Sequence, residues 1–190
     1  MNKTDNYQKH TSKNPLKKFF IRNFFETLFS LIKNLKIETV LDVGCGEGFT
    51  LNKLKENKIG KTYEGIDYSK EAIALGRKAY PDLHIFEGNI YDLKYKDNSF
   101  DLVICSEVVE HLENPQKALK ELLRVSKKYV LLSVPNEPWF WLSNYTQWGN
   151  DIGHINKWSR NQFLKFIKLE SYKVISLKTP FPWTVVLLKK

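Results

Sequence analysis

Asp42, Gly44, Gly46, Glu47 and Gly48 lie together in the run Val40-Leu41-Asp42-Val43-Gly44-Cys45-Gly46-Glu47-Gly48. A short apolar run ending in alternate glycines reads as a buried parallel strand that turns sharply against a ligand, because glycine lets the backbone approach closely at such a turn. The spacing is G-x-G-x-G, tighter than the G-x-G-x-x-G of a dinucleotide site, whose pyrophosphate sits at a helix N-terminus. One carboxylate before the first glycine and another inside the loop suit a cationic ligand. Further along, Glu107, Glu110 and His111 stand at i, i+3 and i+4, so a helical or turn-like segment places them on one face. Together with His154, in Gly-His-Ile-Asn-Lys-Trp-Ser, they have the chemistry of a divalent-metal site or of a proton acceptor beside a cationic pocket.

These residues need elements to hold them at one edge. The pattern predicts a first strand over 39–43, a helix through Leu51, Leu54 and Lys55, and a second strand over 62–66 that runs into Asp67. An acidic residue at the tip of the second strand is where ribose hydroxyls are held in doubly wound folds. Ser69 caps a helix with Glu71 in its first turn, running to about Ala79 before Pro81. Strands follow at 83–86 and 100–105, a helix from Pro115 through Ala118, Leu119, Leu122 and Leu123, and a fifth strand at 129–134. A helix near 160–169 precedes strands at 172–177 and 184–188. The alternation predicts a parallel, doubly wound sheet covered on both faces, and the last two strands are too close for a helical crossover, so they pair as a hairpin.

Four ordered motifs at strand ends resemble the class I S-adenosylmethionine-dependent methyltransferases, in particular the ubiquinone-biosynthesis type. They are VLDVGCGEG at 40–48, EGIDYS at 64–69, EGNI at 87–90 and FDLVICSEVVEHL at 100–112, with YVLLSVPNEP at 129–138 following. The resemblance covers roughly residues 38–190 and implies an α/β, Rossmann-like seven-stranded sheet of order 3-2-1-4-5-7-6, strand 7 antiparallel, with helices on both faces. It implies S-adenosylmethionine as cofactor, its amino-acid part wrapped by Asp42, Gly44, Cys45, Gly46 and Gly48. Asp67 would accept from both ribose hydroxyls, Tyr68 would lie against the adenine, and Asn89, the Ile90 amide and Ser106 would complete the pocket. Glu107, His111 and His154 are the catalytic candidates, and Cys45 is a small spacer. The Glu107, Glu110, His111 and His154 set also looks like the metal cluster of small-RNA 2′-O-methyltransferases, but the flanking residues typical of that group are absent. The expectation is therefore no metal.

The chain has 190 residues and 42% hydrophobic content, which fits one domain with a full core. Its parts are expected to be a flexible lead over 1–14, an N-terminal helical lid over 15–36 and a catalytic core over 37–190. The lid helix carries Phe20, Phe24, Leu28, Leu31 and Leu35 on one stripe. Residues 135–158 form an aromatic insert with Trp139, Phe140, Trp141, Tyr145, Trp148 and Trp158, expected to face the substrate. Cys45 and Cys105 share no metal or redox spacing, and neither a signal peptide nor a membrane-length apolar run is visible, so the expected location is cytoplasmic. The net charge of +9 comes from the two ends: 1–36 and 151–190 each hold eight basic residues against two acids, while 37–150 hold fourteen against seventeen. A cationic cofactor in an acidic centre with basic flanks fits a small-molecule or lipid-like acceptor of anionic character. The basic face beside the phenylalanines of the N-terminal helix also permits peripheral contact with a membrane surface, and nucleic acid is a possible but not favoured partner.

Overall fold

The computed structural model describes residues 4–137, 153–168 and 172–190. Helices α1 (Asp5–His10) and α2 (Pro15–Ile32) come first, then β1 (Thr39–Val43), α3 (Phe49–Glu56), β2 (Thr62–Asp67), α4 (Lys70–Ala79) and β3 (His84–Glu87). After these come β4 (Phe100–Ser106), a 3₁₀ turn (Val109–His111), α5 (Pro115–Val125), β5 (Ser126–Pro135), α6 (Arg160–Phe166), β6 (Lys173–Lys178) and β7 (Trp183–Lys189). The strands form one sheet of order β3-β2-β1-β4-β5-β7-β6. Strand β7 runs antiparallel to β5 and β6, and the other pairs are parallel. This is the expected doubly wound sheet with its terminal hairpin.

The central strands are apolar on both faces because helices cover both. In β4, Val103 and Cys105 join Leu119 and Leu122 of α5 in one cluster. Leu102 and Ile104 join Phe24, Leu28 and Ile32 of α2 and Leu51 and Leu54 of α3 in the other. The period of two along a strand makes this division residue by residue. The helices start where side chains satisfy their first amides: Asn14 accepts from Leu16 and Lys17 beside Pro15, Ser69 from Ala72, and Asn114 from Lys117 beside Pro115. From β1 the chain builds outward to β2 and β3, then returns to add β4 on the opposite side of β1. The crossovers diverge at that reversal, the place where doubly wound folds bind ligands, at the carboxyl ends of β1 and β4. Among the described residues, no helix is long and apolar enough to cross a membrane.

Three features differ from expectation. Part of the polar lead is helical: Thr4 caps α1 by accepting from the Tyr7 amide at 3.1 Å. A helix of six residues is too short for apolar periodicity to reveal it. Helix α2 buries Phe25 and Ile32 beside the expected Phe24 and Leu28, while Phe20, Leu31 and Leu35 of the expected stripe pack half-buried on the same cluster. The face is chosen by its partner, with Phe24 against Trp183 of β7 at a ring separation of 5.0 Å. Trp158 is half-buried and packs on α6, its ring 4.7 Å from that of Phe166, so part of the expected substrate-facing aromatic set is used against the core. Trp139, Phe140, Trp141, Tyr145 and Trp148 lie outside the described residues.

Helix α4 touches the glycine loop through Gly76, where an added Cβ would stand 2.6 Å from the Glu47 carbonyl oxygen. Alanine in a helix is ordinarily favoured over glycine by about 1 kcal/mol. Here the obstacle is backbone, and overpacking of this kind costs about 1–3 kcal/mol. Gly76→Ala is therefore expected to lower the urea midpoint of unfolding. An unchanged or raised midpoint would mean that α4 and the loop can separate at no cost.

Candidate functional site

The glycine loop leaves β1 and is tied to the tip of β2. The Gly44 and Cys45 amides both donate to the Ile66 carbonyl, at 2.7 and 3.0 Å. The Gly46 amide donates to one carboxylate oxygen of Asp67 at 2.7 Å, and the Ser69 amide to the other at 2.8 Å. Gly44, Gly46 and Gly48 all have positive φ, at 77°, 53° and 84°, a region that strains most side-chain-bearing residues. Their faces differ in what they meet. A Cβ on Gly44 would meet Val108 at 2.3 Å, and one on Gly48 would meet Ile85 at 2.7 Å, so these two faces are filled by the core. The face of Gly46 is met by the side-chain amide of Asn6 in α1, at 2.9 Å. Gly46 is thus the glycine whose open side looks away from the core.

Around this turn five carboxylates gather at the carboxyl ends of β1, β2 and β4. Asp42, Glu47, Asp67 and Glu110 are buried, and Glu107 follows β4 with its side chain 25% exposed. Burial, with the charge of Asp67 beside it, pushes the Asp42 carboxyl up to about 7. Burial, with Glu107 nearby, holds Glu110 well above the ordinary carboxylate range. Burial also acts to raise Glu107, but the Lys9 ammonium, with smaller contributions from Trp183 and His10, keeps that carboxyl below its ordinary value. Lys9 Nζ sits 2.7 Å from both Glu107 oxygens and 5.2 Å from the Trp183 ring. The Thr4 hydroxyl and the Asn6 amide donate to Glu47. Clustered buried carboxylates are costly unless a cation or donors meet them, so this edge is built for positive charge.

The 3₁₀ turn after β4 carries the other candidate group. Glu107 has φ +56°, a strained value for a side-chain-bearing residue of the kind found at functional sites. The backbone carbonyl of Glu110 accepts from the Ile155 and Asn156 amides at 2.9 and 2.8 Å, and the Asn156 side chain donates to the Leu112 carbonyl at 2.7 Å. This clamp brings His154 beside His111, with ring centroids 4.8 Å apart. Ligand atoms of Glu110, His111 and His154 all lie within 4.8 Å of one another. Both side-chain oxygens of Glu110 are buried without a hydrogen-bond partner, as is the Ser106 hydroxyl.

The structure therefore gathers Asp42, Gly44, Cys45, Gly46, Gly48 and Asp67 at one turn, and His111 with His154 at a second cluster nearby. Cys45 faces the core, its sulfur 2.7 Å from where a Cβ on Gly65 would stand, and burial pushes its thiol far up, which suits a spacer. Tyr68 is 86% exposed at the tip of β2. Asn89 turns its oxygen to the Tyr91 amide at 2.9 Å, and Ile90 packs on the core. The sequence reading missed Thr4, Asn6 and Lys9. Lys9 lies 98 residues from Glu107, and no spacing rule links residues across such a distance. Asn156 was visible inside Gly-His-Ile-Asn-Lys-Trp-Ser but not its role as a clamp.

Asp42 gives this site a pH signature. Its folded value of about 7 lies above the ordinary 3.8. Between these values the folded protein holds a proton that the unfolded chain has released, so stability falls as pH rises through the interval, by up to about 1.4 kcal/mol per pH unit for one group. Asp42→Asn removes that component, so the variant should gain stability over the wild type from acid toward neutral pH. Urea titrations showing a pH-independent difference would mean that Asp42 is not perturbed by its surroundings.

Residues 41–133 match the family model described as "Methyltransferase domain". A probable S-adenosylmethionine-dependent methyltransferase of Mycolicibacterium smegmatis is 33% identical over 99 residues, 51% of this chain and 38% of that protein. The mitochondrial ubiquinone biosynthesis O-methyltransferase of Saccharomyces cerevisiae is 31% identical over 112 residues, 54% of this chain and 36% of that protein. The chain thus matches less than two fifths of the length of these curated relatives. The crystal structure of the PH0226 protein from Pyrococcus horikoshii superposes with a TM-score of 0.77 over 99% of both chains at 18% identity, a likeness of fold. Residues 41–133 thus match a methyltransferase domain, and sheet order, glycine turn and relatives together support a class I S-adenosylmethionine-dependent methyltransferase.

Proposed function

We propose that this protein binds S-adenosylmethionine at the carboxyl edge of β1, β2 and β4 and methylates a small-molecule or lipid-like acceptor at an O, N or C nucleophile. The observation that carries the reading is the Asp67 carboxylate, which organises the glycine turn at the centre of a buried acidic cluster. When bound, the cofactor supplies an electrophilic methyl group on a sulfonium, open to in-line displacement. The residues fit such a ligand: the face of Gly46 turned from the core is met, among the described residues, only by the side chain of Asn6, and Asp42, Glu47, Asp67, Glu107 and Glu110 favour positive charge. In this reading the turn residues Gly44, Cys45, Gly46 and Gly48, with Asp42, hold the amino-acid end. The oxygens of Asp67 have lone pairs left over for ribose hydroxyls, and the exposed ring of Tyr68 offers a surface for the adenine. Asn89, Ile90 and Ser106 line the remaining wall. The yeast relative, named for O-methylation in ubiquinone biosynthesis, supports the small-molecule class.

His111 is the proton acceptor in this proposal. Its Nδ1 lies 3.3 Å from the Gly153 carbonyl, which can only accept, so Nδ1 carries the hydrogen and Nε2 keeps its lone pair. Glu107 is occupied by Lys9, and His154 stands beside His111 to orient or share a proton.

The convergence of Glu110, His111 and His154 favours a second reading, a divalent cation that polarises a hydroxyl acceptor such as a ribose 2′-OH. Both unpartnered oxygens of Glu110 would serve as ligands. Elemental analysis of purified protein separates the two readings. One equivalent of metal that disappears in His111→Ala favours the cation; metal-free protein with full activity in chelator favours the proton acceptor.

Two substitutions test the principal reading. Asp67→Ala should weaken binding of S-adenosylhomocysteine by roughly 10- to 150-fold, the loss of a charged acceptor for two hydroxyls. Calorimetry giving wild-type affinity would remove Asp67 from the site. His111→Gln should lower kcat by about 100- to 10,000-fold while leaving that affinity in place. Wild-type turnover in His111→Gln would discard this histidine as the base.

A further inference from the structure

Helix α1 meets the acidic edge at three points. Asn6 covers the open face of Gly46, its amide nitrogen 2.9 Å from where a Cβ would stand. Thr4 and Asn6 supply the hydrogen bonds of Glu47. Lys9 places an ammonium 2.7 Å from both oxygens of Glu107. A fourth contact seals the cover, with the His10 ring stacked 4.4 Å above Phe49, the first residue after the glycine turn. Among the described residues, Lys9 is the cation that ion-pairs with this cluster of five carboxylates. A short polar helix has thus taken up the surface and part of the charge that a cationic ligand would use. We propose that α1 is a self-made rival of the cofactor, held in the site by Lys9 and Asn6, and that it must leave Gly46 and Glu107 before the cofactor can bind.

The inference rests on the cofactor site proposed above and adds its regulation. Two occupants of one surface exclude each other, so apparent affinity is reduced by the fraction of molecules with α1 in place. Exclusion acts before any ligand is chosen, so it weakens S-adenosylmethionine and the neutral-sulfur product S-adenosylhomocysteine by the same factor. A lid that closes over bound ligand behaves oppositely, because its contacts add to affinity. The partly buried bidentate pair of Lys9 with Glu107 is the strongest tie holding α1 and the natural point to release it.

The test uses the full chain and two measurements. Calorimetry with both compounds is expected to show Lys9→Ala binding each about tenfold more tightly than wild type, and Lys9→Arg returning toward the wild type. Hydrogen exchange on the wild type is expected to show the amides of residues 5–10 exchanging faster once S-adenosylhomocysteine is bound. Weaker binding by Lys9→Ala, or slower exchange in α1 on binding, would make α1 a lid and overturn the proposal. A gain confined to S-adenosylmethionine would also overturn it, because that pattern is charge repulsion without exclusion. A wild type that binds neither compound, with Lys9→Ala equally silent, overturns the cofactor reading itself. Binding by Lys9→Ala alone is the extreme case of self-exclusion.

Discussion

The site depends on one carboxylate. Asp67 ends β2, and its two oxygens accept from amides on opposite sides, Gly46 in the turn after β1 and Ser69 at the cap of α4. That bridge fixes the glycine turn relative to the neighbouring strand, with the Ile66 carbonyl taking two further amides from the same turn. Gly76 then lets α4 press against the Glu47 carbonyl from behind. The turn has little freedom to shift, because it is hydrogen-bonded on one side and crowded on the other. A rigid turn of this kind presents backbone to a ligand at low entropic cost.

The strand order explains the density of acid. Because β4 returns beside β1 after the chain has built out to β3, residues that end β1, β2 and β4 arrive at one crevice from three separate segments of sequence. Asp42, Asp67 and Glu107 are brought together by topology and not by proximity along the chain. Their mutual repulsion and burial raise Asp42 and Glu110, and Lys9 offsets it at Glu107. The basic N-terminal region therefore has a definite role in this structure: part of it neutralises the acidic centre.

The second cluster depends on a different return of the chain. Residues 153–156 come back to the 3₁₀ turn and hydrogen-bond to Glu110 and Leu112, which carries His154 to His111. The cluster is thus supported by main-chain bonds at its base, while the carboxylate oxygens of Glu110 have no hydrogen-bond partner among the described residues. A proton acceptor and a cation site share this arrangement, since both need an imidazole held by its backbone and a nearby acidic group.

The sequence by itself determined the layered sheet with its terminal hairpin and the positions of the glycine turn, Asp67 and the Glu107–His111 segment, while the strand order came from the resemblance its ordered motifs carry. Those features follow from local rules: a period of two or of about 3.6 in apolar residues, glycine at positive φ, and caps at helix starts. The tertiary structure alone decided that Phe25 and Ile32 join the buried face of α2, that Trp158 packs on α6, and that α1 lies on the glycine turn. It alone paired Lys9 with Glu107 and brought His154 to His111. Each of these is a contact between segments distant in the chain, made by long side chains or short elements with no periodic signature. Their energy comes from burial and charge compensation, which exist only once the sheet has brought the segments together.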